Sequence, residues 1–281
     1  MTRTWSAWKW AGIGLILLFD WAPGEVAGNG LDEAVDKLVA GLASDSCLTR
    51  KKAMGEYPWR PDDGAREQAA LRRQANVLTG DMRARMVALA DVIEDGRRGH
   101  ARLLDLMREA ARVTDGGGDK RKQAAALSRL RRRLLSVMQS PKEGISTRVA
   151  VPFLFARLSE YAAQFTSDWG QELPALLQSS DAALRLIGAV TAMTKRLPKG
   201  SDPPKSLVTR ILIENLSSED VAARYLSQQT LFDVTGIRTE QLCFDPTDPP
   251  GARMTSMRRW EEWWKENEEQ LSRDRIPQLF W

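Results

Sequence analysis

Residues 215–236 read NLSSEDVAARYLSQQTLFDVTG, and this stretch decides the fold. A helix closes near Leu216, a small polar turn follows, and an acid, Asp220, opens the next helix. Arg224 comes one turn later and the small Ser227 three residues further on. The same grammar recurs upstream, with Asp45 leading to Arg50 and Ala53, Asp81 to Arg85 and Ala88, and Asp181 to Arg185 and Gly188. Glu143 to Arg148 is a looser copy, with Val151 at the small position. The five arginines stand 35, 63, 37 and 39 residues apart, so three intervals share a length and one is long enough to hide a degenerate unit. Recurrence near this period is the signature of stacked helix pairs.

Each position in the junction has a physical reason. An acid in the first turn of a helix meets exposed amides and the positive end of the helix dipole. A small residue lets two helices approach closely. The arginine is placed to reach an acid or a carbonyl of the adjoining pair.

The rest of the chain carries the helical period. Leu31, Val35, Leu38 and Leu42 share one face, as do Leu71, Ala75 and Leu78, then Met82, Met86, Leu89 and Ile93, then Leu127, Leu130, Leu134 and Val137. No segment alternates with a period of two, so no sheet is expected. Breaks are expected at Pro58, Pro61 and Gly64, at Gly96 and Gly99, over residues 115–119, over 198–204, and at Pro246, Pro249, Pro250 and Gly251. The fold expected is all-α, an α-solenoid of antiparallel helix pairs over residues 29–281 with a capping helix at about 250–273.

The closing stretch carries a resemblance. Leu231, Val234, Thr235 and Gly236 form an L-x-x-L-T-G-like turn; Phe244, Asp245 and Pro246 follow, then Arg253, then Arg259, Trp260, Trp263 and Trp264 in an R-W-x-x-W-W helix. This resembles the end of exported bacterial HEAT-repeat proteins, departing from them in Phe244 for a commoner tyrosine and Val234 for a commoner leucine. The resemblance implies an α-solenoid and supplies no catalytic residue.

Residues 1–28 read as a targeting segment. Arg3 and Lys9 precede an apolar core from Ala11 to Phe19, which Asp20 and Pro23-Gly24 end. That core is shorter than the roughly 20 residues of a membrane span and fits a secretory signal. Val26-Ala27-Gly28 offers small residues for cleavage, while Trp5, Trp8, Trp10 and Trp21 suit an uncleaved interfacial anchor. The chain is therefore expected to be exported, periplasmic or secreted, with retention by the anchor as the alternative. Cys47 and Cys243 fall near opposite ends of an elongated stack, and a disulfide needs Cα atoms closer than about 7 Å, so two unpaired thiols are expected.

Lys+Arg 41 against Asp+Glu 37 leaves a net charge of +4, too small and interspersed an excess for a dedicated nucleic-acid binder. The densest basic run is Lys120, Arg121 and Lys122, then Arg129, Arg131, Arg132 and Arg133. It reads as a solvated helix face or as a contact for an anionic membrane surface or polymer. Trp260, Trp263 and Trp264, with Met257 and Leu271, read as a structural cap over the end of the stack or as an aromatic platform for a sugar or peptide. His100 is the one histidine and sits beside Gly99 in an expected turn, without a nucleophile elbow or zinc-ligand spacing elsewhere. Asp245 and Asp248 suit a turn better than a calcium loop.

No catalytic residue, cofactor or metal is assigned. The function expected is a non-catalytic scaffold or adapter for a protein or cell-surface partner. The alternatives are a membrane- or polymer-associated module and a carboxylate-based hydrolase on a helical scaffold.

Overall fold

The computed structural model describes residues 30–57, 64–115, 120–158, 169–194, 203–274 and 276. The targeting segment, Pro58, Pro61, the glycine run and Pro198 lie outside the described residues. Those described are all-helical, and no strand occurs among them.

The helices are α1 (Gly30–Leu42), α2 (Cys47–Glu56), α3 (Gly64–Val77), α4 (Gly80–Asp115), α5 (Lys120–Gln139) and α6 (Ile145–Leu158). They continue with α7 (Trp169–Leu177), α8 (Ala182–Thr194), α9 (Lys205–Asn215), α10 (Val221–Thr235) and α11 (Pro250–Arg273). The apolar faces read from the sequence are the buried ones. Val35, Leu38 and Leu42 in α1, Met86, Leu89 and Ile93 in α4, and Leu127, Leu130, Leu134 and Val137 in α5 join one continuous core that reaches Trp260 in α11. No described helix is long and apolar enough to cross a membrane.

Gly96 and Gly99 do not break the chain, since α4 runs unbroken from Gly80 to Asp115. Each glycine costs a helix roughly 1 kcal/mol relative to alanine. At Gly99 that cost has a use, because a Cβ there would lie 3.1 Å from the Ser146 Cβ and the Thr147 amide nitrogen of α6. Its absence lets the start of α6 rest on the middle of α4. His100 consequently sits within a helix rather than in a turn.

The junction's small positions do act at close approaches. A Cβ on Gly188 would meet Leu176 Cβ at 3.0 Å, and the Ala53 Cβ lies 2.3 Å from where a Cβ on Gly41 would stand. The acid sits one step earlier than expected. Asp181 and Asp220 precede their helices and accept from Ala183 and Ala222 amides, each at 2.8 Å. For α2 the cap is Ser46 rather than Asp45. Its hydroxyl has the same local geometry to offer the free amides.

The largest correction concerns how the ends meet. α4 touches α6, α6 touches α8, α8 touches α10, and α10 returns to α4. These four helices thus close a circuit, and early and late parts of the described chain become neighbours. Cys47 and Cys243 are joined in a disulfide, with Cα atoms 5.9 Å apart. The expectation of two unpaired thiols is overturned because it assumed an elongated stack.

Candidate functional site

The polar chemistry of the described chain concentrates where the ends meet, on the turn of residues 245–248. The junction arginines share a local role first. Arg50 Nη1 donates to the Ser44 and Asp45 carbonyls, Arg185 Nη1 to Ser179 and Ser180, and Arg224 Nη1 to Ser218 and Glu219. In all three the guanidinium reaches back six and five residues and satisfies carbonyls that the preceding turn leaves free.

Their remaining donors diverge. Arg148 reaches the next junction's acid, Asp181, at 3.4 Å, and Arg185 reaches Glu214 at 3.5 Å. Arg50, Arg85 and Arg224 converge instead on the 245–248 turn. Arg50 Nε donates to Asp245 at 2.6 Å and its Nη2 to Asp248 at 2.8 Å, while Arg85 Nη2 donates to Asp248 at 2.7 Å. Arg224 donates through Nε and Nη2 to the Pro246 carbonyl at 3.0 and 2.9 Å. Three helices from opposite ends of the chain, α2, α4 and α10, hold one four-residue turn.

The turn is also braced from within. Asp245 accepts from the Thr247 amide and hydroxyl at 2.9 and 2.6 Å, and Gln228 donates to the Phe244 carbonyl. Asp245 is 1% exposed and its carboxylate is paired with Arg50. Burial alone would loosen the Arg50 proton, but Asp245 and Asp248 hold it more tightly than usual. At Asp248 burial and the neighbouring Asp245 push the carboxyl up against Arg85 and Arg50. With both carboxylates engaged by guanidiniums, the arrangement is a structural clasp and not a calcium loop.

Glu240 completes the clasp from beside the disulfide. Its carboxylate accepts from the Cys47 amide at 2.7 Å, the Leu48 amide at 3.2 Å and the Ser46 hydroxyl at 3.2 Å, and so caps α2 from across the chain. Burial pushes this carboxyl up, but those hydrogen bonds and Arg50 outweigh it and the net shift is down. Lys51, next to Arg50, holds its ammonium 3.5 Å above the Phe232 ring. Burial and then Arg238 push this amine down to about 7, against Asp245 and Asp233.

The residues singled out from the sequence are not brought together into one site. Lys120, Arg121, Lys122, Arg129, Arg131, Arg132 and Arg133 lie on α5, away from the clasp in the chain. Arg131 pairs with Glu172 and Arg133 with Glu109, whereas Lys122, Arg129 and Arg132 are exposed. Trp260 is fully buried, edge-on to Trp263 at 5.5 Å and 6.4 Å from the Phe232 ring. Trp264 Nε1 donates to the Ser206 carbonyl of α9 at 3.1 Å, so α11 is fastened to α9. Trp263 also lines a surface cavity of about 500 Å³ with Glu240, Gln241, Arg259, Glu262 and Glu266. No group of acids, cysteines or histidine with the geometry of a metal site occurs among the described residues.

Sequence reasoning missed the partners of Arg50 and Arg85, the cap supplied by Glu240, and Asp95. In the middle of α4, Asp95 accepts from the Ser146 amide at 3.0 Å and thereby caps α6. The one signal available was that two acids stand inside a proline-rich turn otherwise built for rigidity. Comparison with family models, with curated proteins and with solved structures found no match in any of the three.

Proposed function

We propose that the chain is an exported, non-catalytic helical-repeat scaffold, a HEAT-like α-solenoid of antiparallel pairs capped by α11, that presents its surface to a protein or cell-surface partner. The observation that carries this reading is the inward use of polar chemistry. The junction arginines, Asp245, Asp248 and Glu240 all serve to hold helices together. The disulfide supports the exported setting, since such bonds persist in oxidising compartments.

The experiment is chemical cross-linking of the full-length chain in the native envelope fraction, with mass analysis of its mature N-terminus. A single cross-linked partner of defined stoichiometry, and export with an oxidised Cys47–Cys243 pair, are expected. Retention in the reducing interior, or cross-links to no recurrent partner, would defeat the reading. A contact with an anionic surface rests on Lys122, Arg129 and Arg132, each contributing about 1 kcal/mol near such a surface. Salt-sensitive binding to anionic vesicles, lost on replacing those three by glutamine, would favour it.

A further inference from the structure

Most charged groups near the clasp are engaged with one another, and one patch beside it departs from that rule. The surface cavity of about 500 Å³ between residues 240–242 and α11 has Trp263 and Leu242 as its apolar lining and Glu262, Glu266, Arg259 and Glu240 as its charged lining. Glu262, Glu266 and Arg259 are exposed, and none of the three has a side-chain ion-pair or hydrogen-bond partner among the described residues. Elsewhere on the same helix an exposed acid does find its partner, as Glu269 does in Arg273 one turn on.

Both walls of the cavity are fixed in place. Glu240 accepts from the Cys47 and Leu48 amides, and the buried Leu242 directly precedes the disulfide-bonded Cys243. On α11, Glu262 and Glu266 stand four residues apart, one above the other on one helix face. Trp260 is wholly buried and Trp264 donates its N–H to the Ser206 carbonyl, whereas Trp263, braced edge-on by Trp260, lines the cavity.

We infer that this cavity binds a lysine- or arginine-bearing segment of a protein partner, with the aliphatic stem of the basic side chain along Trp263 and its charged head at Glu262 and Glu266. Three carboxylates share the lining with one guanidinium, so its charge is negative and complements a cation. An indole attracts a cation to its face and covers the methylene stem of a long basic side chain. A neutral sugar would use the ring and leave the unpaired carboxylates unanswered. The inference rests on the scaffold reading, since it names the chemistry of the partner that reading requires.

The full-length oxidised chain is titrated calorimetrically with acetylated, amidated tri-lysine, tri-glutamate and tri-norleucine peptides and with cellobiose. Saturable binding of tri-lysine that weakens with added salt is expected, with none of tri-glutamate or tri-norleucine. Glu262→Gln together with Glu266→Gln is expected to weaken tri-lysine binding about tenfold, and both positions are exposed, so the variant folds. Glu261→Gln together with Glu268→Gln removes the same charge from α11 outside the cavity and is expected to leave binding within about twofold. Trp263→Leu is expected to weaken it about fivefold, and if that variant fails to fold the two glutamine pairs still decide. Absence of tri-lysine binding, equal losses from the two glutamine pairs, or binding of cellobiose without tri-lysine would overturn the proposal. None of those results bears on export or on a cross-linked partner, so the scaffold reading stands or falls separately.

Discussion

The first and last junctions, compared with the middle ones, show how one sequence pattern serves two structural ends. Arg185 satisfies its own turn and then meets Glu214, which is 40% exposed, in a pair between neighbouring helices. Arg50 satisfies its own turn in the same way and then neutralises Asp245, a carboxylate with no access to water. The local rule is the same and the energetic stakes are not. A solvent-accessible pair is worth about 0–1 kcal/mol, whereas a buried charge left without its partner costs several. The ends of the chain therefore carry the interactions whose loss matters most.

The comparison is broken most severely by Arg50→Met. Removing that guanidinium strands Asp245 and is expected to cost about 3–5 kcal/mol, measured by urea unfolding of the oxidised chain. A loss no larger than that of Arg185→Met would show the clasp to be no different from an ordinary junction. Next comes the Cys47→Ser, Cys243→Ser double variant, expected to lose about 2–5 kcal/mol because the bond links residues 196 apart and restricts the unfolded chain. Thiol titration of denatured, unreduced wild type should find no free thiol from this pair, and finding both would refute the closed arrangement. Arg185→Met is expected to cost about 1 kcal/mol, the sum of a weak pair and its turn hydrogen bonds.

A further prediction is a pH dependence at Lys51. The folded amine titrates at about 7, below its ordinary value of 10.5, so between those limits the unfolded chain binds more protons than the folded one. By linkage the penalty of burying the ammonium is fully present below pH 7 and fades as pH rises towards 10.5. Lys51→Met is therefore expected to gain stability at pH 6 and to lose that advantage by pH 10. The Phe232 face beneath the ammonium offsets part of the penalty, since a cation over an aromatic ring is attracted to it. Equal stability differences at both pH values would remove Lys51 from the description of the clasp.

Much of the framework was legible because it depends on local rules. Helix faces such as Val35, Leu38 and Leu42 follow from a period of 3.6 residues, and Gly236, with φ of 72°, ends α10 as its Thr-Gly turn implied. Gly96 and Gly99 misled for a definite reason. Their low helix propensity is a local property, while the space at Gly99 is filled by a helix that starts some 45 residues later. The site was less legible still. Asp245 and Asp248 stand in an ordinary-looking proline turn, and nothing adjacent in sequence announces that Arg50 and Arg85 will reach them. Pairing across such separations is set by which helices come to lie side by side.

The sequence by itself determined the all-helical character, the positions of the apolar faces and the recurring junction with its arginine. Those follow from side-chain period, capping chemistry and close-packing needs, all of which act within a few turns. Only the tertiary structure decided that α10 returns to α4, that Cys47 finds Cys243, and that three junction arginines meet on one turn. Closing the circuit depends on contacts between helices far apart in sequence, and no single residue encodes them.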